Sequence, residues 1–148
     1  MQNISIFNHI QHLKLEYYNK QRILQLGCQI SEKLLQREYV PYLGIAAIGL
    51  REDLIEKLDE KLKKKYKKYS TKTDCLYITA IGDNSPAKLW GIKEGDIIYE
   101  IDGFTLKTGE ELVNYICSLH PFDWVNLRIK RGKKELNFNI ELTCSYNN

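Results

Sequence analysis

No apolar run in this sequence approaches the roughly 18 residues that a membrane-spanning helix requires, so no helical span is expected. Its four cysteines, Cys28, Cys75, Cys117 and Cys144, stand far apart with no C-x-x-C pair. Reduced thiols, several of them in strand or helix cores, are therefore expected in place of a disulfide framework or a zinc site. An excess of charge of one sign is also lacking. The 22 basic residues against 19 acidic ones leave a net charge of +3, too mild to argue for a nucleic-acid partner. Histidine is rare, and the pair His9 and His12 is too small a set for a metal site. No cofactor is expected.

Catalysis of the serine-hydrolase kind is absent too, since it needs a nucleophile, a histidine base and an orienting carboxylate. None of Ser5, Ser31, Ser70, Ser85, Ser118 or Ser145 stands in a Gly-x-Ser-Gly setting. Ser85, between Asn84 and Pro86, is placed to cap a helix. This chain by itself is expected to hydrolyse nothing. Met1-Gln2-Asn3-Ile4-Ser5 has neither the basic head nor the continuous apolar stretch of a secretory signal, so an intact chain is expected to be cytoplasmic. No internal repeat appears.

What is present is a chain of 148 residues with 43% apolar content, enough for one domain with a buried core and an appendage. Residues 1–38 read as a helical extension, with Ile6, Ile10 and Leu13, then Ile30, Leu34 and Leu35, at helical spacing. Gly27 interrupts that pattern and Ser31 suits a second N-cap. Val40-Pro41 breaks any helix. A short strand is expected from Leu43 to Ile48, then a helix from Glu52 carrying Leu54, Ile55, Leu58 and Leu62 on one face. It ends in Lys63-Lys64-Lys65-Tyr66-Lys67-Lys68, which reads as a solvated helix end whose lysines complement the dipole.

Cys75 to Ile81 reads as a strand. Ser85 caps the next short helix with Pro86 at its first position, and Gly91 suits a left-handed end with Ile92 beyond it. Ile97 to Ile101 is a strand closed by the turn pair Asp102-Gly103. Thr108-Gly109-Glu110-Glu111 has capping-box spacing and opens a helix bearing Leu112, Val113, Ile116 and Leu119. Alternating Val125, Leu127, Ile129 and then Leu136, Phe138, Ile140, Leu142 mark a closing hairpin around Arg131-Gly132-Lys133-Lys134.

Two stretches carry chemistry. A glycine after an apolar residue at the mouth of a strand, as in Tyr42-Leu43-Gly44-Ile45, lets backbone N–H groups converge into a nest that can hold a carboxylate. The adjoining edge, Gly44 to Ile48, can accept an extended peptide as an added strand, and the helix Thr108 to Leu119 can roof the groove. A β-branched side chain in place of Gly44 is expected to block the nest while leaving the fold largely intact.

In this order, the Tyr42–Ile45 loop, Ser85-Pro86-Ala87, Gly91-Ile92-Lys93-Glu94-Gly95-Asp96, the Asp-Gly turn, the capped helix and the final hairpin resemble a PDZ domain of the HtrA-type serine proteases, the animal type in particular. The resemblance covers roughly residues 39–143, leaving 144–148 as a tail. It implies an α+β fold: a small, mostly antiparallel, partly closed sheet flanked by two helices, with extra N-terminal helices. It also implies that Tyr42, Leu43, Gly44 and Ile45 bind a ligand carboxylate. By the same resemblance Ala46 and Ala47 offer the strand edge, and Leu43, Ile45, Val113 and Ile116 line the pocket for the last side chain. Gly109 stands where many such domains place a histidine to select Ser or Thr, so an apolar or permissive preference is implied. Cys75 stands where the family usually has glycine.

The expected function is capture of apolar C-termini or extended peptides, as the regulatory or substrate-recognition part of an HtrA-type serine protease. The expected partners are substrate peptides and a protease domain. Two alternatives stay open: a free-standing adaptor with the same groove, and a basic surface-binding protein using the Lys63–Lys68 patch.

Overall fold

The structure, a computed structural model, describes residues 2–27 and 38–147. The second helix expected around Ile30, Leu34 and Leu35 with Ser31 as its cap lies outside the described residues, as does Cys28. The chain runs through helix α1 (Gln2–Gln25) and strands β1 (Glu38–Tyr42) and β2 (Ile45–Gly49). Helices α2 (Glu52–Glu56) and α3 (Glu60–Tyr66) follow, then a 3-10 turn (Lys67–Tyr69) and β3 (Leu76–Ile81). Next come α4 (Pro86–Leu89), β4 (Ile97–Ile101), α5 (Gly109–Cys117), β5 (Trp124–Arg131), β6 (Lys134–Glu141) and β7 (Thr143–Asn147).

Strands β2 to β6 form one antiparallel sheet in sequence order, so β2 is an edge strand. The hairpin β5–β6 pairs from Trp124–Glu141 to Arg131–Lys134, in the register that alternating apolar residues require. Alternation also divides the sheet's two faces. Leu76, Ile78 and Ile98 point into the main core with Leu112, Ile116, Leu127, Ile129 and Ile140. Their neighbours Tyr77, Ile97 and Tyr99 face a second, smaller core of Leu50, Ile55, Tyr66 and Cys75. The lysine-rich insert therefore covers the back of the sheet with Ile55 and Tyr66, while Lys61, Lys64, Lys65, Lys67 and Lys68 point outward.

Three expectations are corrected. The helix from Glu52 is two helices: the first ends at Glu56, and Asp59 caps the second, its side chain accepting the Leu62 N–H at 2.9 Å. The strand expected from Leu43 begins at Ile45, because Leu43 and Gly44 turn the chain. The supposed tail is largely strand: β7 pairs with β1, Tyr42 opposite Thr143 and Pro41 opposite Cys144.

Helix α1 packs on α4 and β7. Ile6 and Ile10 are buried, the Lys14 ammonium meets Glu141 at 2.8 Å, and Tyr17 rests edge-on against Tyr39 and tilted against Phe122.

Candidate functional site

The loop between β1 and β2 is fixed by its carbonyls. Leu43 C=O accepts the Ala87 N–H at 3.1 Å, and Gly44 C=O accepts the Gly82 N–H at 2.9 Å. With both oxygens turned toward α4 and the end of β3, and Gly44 at φ +87°, the opposite side of the loop presents amides. Among the described residues, neither the Leu43 nor the Gly44 N–H has an acceptor. Adjacent amides left without an acceptor are the kind of groups that can hold an anion.

Ser85 builds the support. It is fully buried; its hydroxyl donates to Gly82 C=O at 2.7 Å and accepts the Lys88 N–H at 3.2 Å, capping α4. Pro86 and the left-handed Gly91, φ +90°, mark the two ends of that helix. Arg131 donates to Gly91 C=O at 2.8 Å and grips the buried Asp96 with two bonds of 2.8 Å. The hairpin turn is thereby tied to the helix that holds Leu43. The side-chain bonds to Asp96 raise the affinity of the Arg131 guanidinium for its proton.

Beside the nest lies a groove of about 470 Å³, lined by Tyr42, Leu43, Gly44, Ile45 and Ala46, by Ala80, Ile81 and Gly82 of the β3 end, and by Leu112, Val113, Ile116 and Cys117 of α5. Val40, Pro41 and Ser145 extend it across β1 and β7. Its lining is mainly aliphatic. Leu43 and Ile116 are 3% and 5% exposed and form the floor, whereas Val113, 53% exposed, stands at the rim.

Of the residues expected at the site, Tyr42, Leu43, Gly44, Ile45, Ala46, Val113 and Ile116 come together in this groove; Ala47 and Gly109 do not line it. Those two touch each other. A Cβ built on Gly109 would lie 2.0 Å from the Ala47 carbonyl oxygen, so this glycine is where helix and strand backbones meet.

Gly44 also has a different reason from the one expected. A Cβ there would lie 2.1 Å from the Ser85 Cβ, on the scaffold side rather than in the nest. Substitution would strain the fold, not only the site.

Several groove features escaped the sequence reading. Gly82 leaves room for the Tyr42 ring: a Cβ there would lie 2.4 Å from the Tyr42 hydroxyl. The contributions of Val40, Pro41 and Ser145 depend on the β1–β7 pair, which no local pattern announces. The Ala87 clamp on Leu43 is a contact between segments 44 positions apart, invisible to any spacing rule.

The family model described as PDZ domain matches residues 41–142. The chain is 30% identical over 116 residues to the serine protease Do-like HtrA of Bacillus subtilis, covering 76% of this chain and 25% of that protein. It is 29% identical over 119 residues to the human serine protease HTRA3, covering 80% of this chain and 25% of that protein. The chain thus spans about a quarter of the length of these relatives. Among solved structures, the HtrA3 PDZ domain bound to a phage-derived ligand (FGRWV) matches with a TM-score of 0.56 at 22% identity. That match covers 74% of this chain and 91% of that one. The HtrA-type protease AlgW with decapeptide matches with a TM-score of 0.54 at 20% identity, over 72% of this chain and 30% of that one.

Proposed function

Because this chain belongs to the PDZ domain family, we propose that it captures the C-terminal end of protein chains whose last residue is apolar. The observation that carries this reading is the pair of Leu43 and Gly44 amides, without an acceptor among the described residues, beside the Ile45–Ala46 stretch of edge strand β2 and an aliphatic groove. A terminal carboxylate fits the nest, its side chain fits over Leu43 and Ile116 under α5, and its backbone lies along the start of β2 at Ile45 and Ala46.

Chemistry beyond binding is not part of the reading. One anchor side chain and a short strand contact offset the ordering of a peptide only modestly, so affinities of about 1–100 μM are expected. We extend the proposal to the larger protein: the domain is the recognition part of an HtrA-type serine protease, joined in the same reading frame to a Gly-x-Ser-Gly domain. Without such a domain, the same groove makes the protein an adaptor.

The pentapeptide FGRWV, with an apolar end and a free carboxylate, is a suitable first probe. In a fluorescence titration it is expected to bind, and its C-terminally amidated form to lose at least about tenfold in affinity, as expected for losing a charge-assisted contact with the nest. Val113→Asp, at a half-exposed rim position, is expected to change stability by less than about 0.5 kcal/mol while weakening the free-acid peptide about tenfold. Equal binding of acid and amide would remove the nest from the proposal.

A further inference from the structure

The groove stops short along β2. Its lining on the strand ends at Ala46 and on α5 at Leu112. Beyond that point the chain's own backbone lies against the sheet edge. The Ala47 carbonyl is the nearest atom to a Cβ built on Gly109, at 2.0 Å, and the Lys107 carbonyl lies 2.2 Å from a Cβ built on Gly49. Residues 107–109, entering α5, thus run along Ala47 to Gly49.

This matters because of which backbone groups of β2 are free. Gly44 C=O is bonded to Gly82 N–H, and Ala46 C=O accepts the Thr79 hydroxyl at 3.2 Å, so both face β3. By strand alternation the groups of Ile45 and Ala47 face away from the sheet. An added strand would pair with both. It needs about 4.8 Å of open space beside the strand, and at Ala47 that side is taken by Gly109, which leaves no room even for a Cβ against the Ala47 carbonyl.

We infer that Gly109 sets the reach of the site: with the first turn of α5 clasped on Ala47, the groove reads only the last two residues of a ligand. This rests on the peptide-capture reading above. A longer segment pairs with Ala47 only in molecules whose clasp has parted, and its apparent affinity is reduced by the fraction of such molecules. Glycine is what allows the closure. Thr108 caps the helix and Glu111 accepts the Lys107 N–H at 2.7 Å, so the clasping segment is held as one piece with α5.

The test is a nested set of N-acetylated peptides of two, three, four and six residues sharing one valine-terminated end, titrated against the whole chain and against Gly109→Ala. On the unaltered protein, affinity is expected to change by less than about threefold from the two-residue to the six-residue peptide. In Gly109→Ala the new methyl group forces helix and strand apart, and the six-residue peptide is expected to bind at least about fivefold tighter than the two-residue one. Gly49→Ala presses on the same segment from the strand side and is expected to act in the same direction if Gly109→Ala does not fold. A tenfold gain with length on the unaltered protein, or flat series in every folded variant, would overturn the clasp and leave peptide capture standing. Silence of all the peptides on every protein would overturn the capture reading and the clasp together.

Discussion

At Gly44 two demands meet at one position. The left-handed φ of +87° favours glycine, and the 2.1 Å approach of a Cβ to the Ser85 Cβ leaves no room for alanine. Gly44→Ala is therefore expected to destabilise the domain by about 2–4 kcal/mol in urea unfolding, through backbone strain and overpacking together. Ser85→Gly, losing the cap and the bond to Gly82, is expected to cost about 1–2 kcal/mol. The double variant relieves the clash, so its loss should fall short of the sum by at least about 1 kcal/mol. Strict additivity in that cycle would mean that Ser85 is not what excludes a side chain at Gly44. A peptide assay on Gly44→Ala alone would confuse an unfolded domain with an empty nest, which is why Val113 is the better probe of binding.

At the scale of elements, the legible parts are those whose signals are local. Ser85-Pro86 and Gly91 bracket α4 because capping, ring geometry and left-handed φ each act within a few residues. The β5–β6 register follows from the alternation of Val125, Leu127 and Ile129. A glycine turn at the mouth of β2 was readable from Leu43-Gly44-Ile45. What was not legible depends on distant partners: β7, Thr143–Asn147, carries no alternating aliphatic pattern and exists by pairing with β1. The split between α2 and α3 hid behind a helical apolar stripe that runs through Leu54, Ile55, Leu58 and Leu62 without a break. Helix α1 is the sharpest case. Its sequence shows apolar spacing but not whether it docks, whereas the structure buries Ile10 to 4% exposure. Ile10→Ala should then cost about 2–4 kcal/mol in a single cooperative transition. A loss under about 0.5 kcal/mol would mean α1 is not part of the folded unit.

On the alkaline side, several groups of the molecule hold their protons more tightly in the fold than in the unfolded chain, which gives its stability a direction in pH. Burial pushes the Cys144 thiol from 9.0 up to about 11. Burial first, and then its hydroxyl's bond to Asp102, push Tyr115 from 10.0 up to about 12. Tyr17 and Tyr77 are raised as well, chiefly by burial. Each folded value lies above the unfolded one, so below about pH 9 these groups are protonated in both states and the stability is fully present. Between the unfolded and folded values the unfolded chain loses its protons first, and stability falls as pH rises. The two best-defined groups sit in different places. Cys144 lies in β7, where β1 and α1 meet, and Tyr115 lies on α5 against Asp102 and Phe104, in the turn after β4. Urea midpoints are expected to hold level from pH 7 to 8.5 and to decline through pH 9 to 12. Cys144→Ala should flatten the lower half of that decline and Tyr115→Phe the upper half, even though each starts from a lower plateau at neutral pH. If both variants decline in parallel with the unaltered protein, the lost protons come from exposed lysines and tyrosines, and neither Cys144 nor Tyr115 sets the alkaline stability.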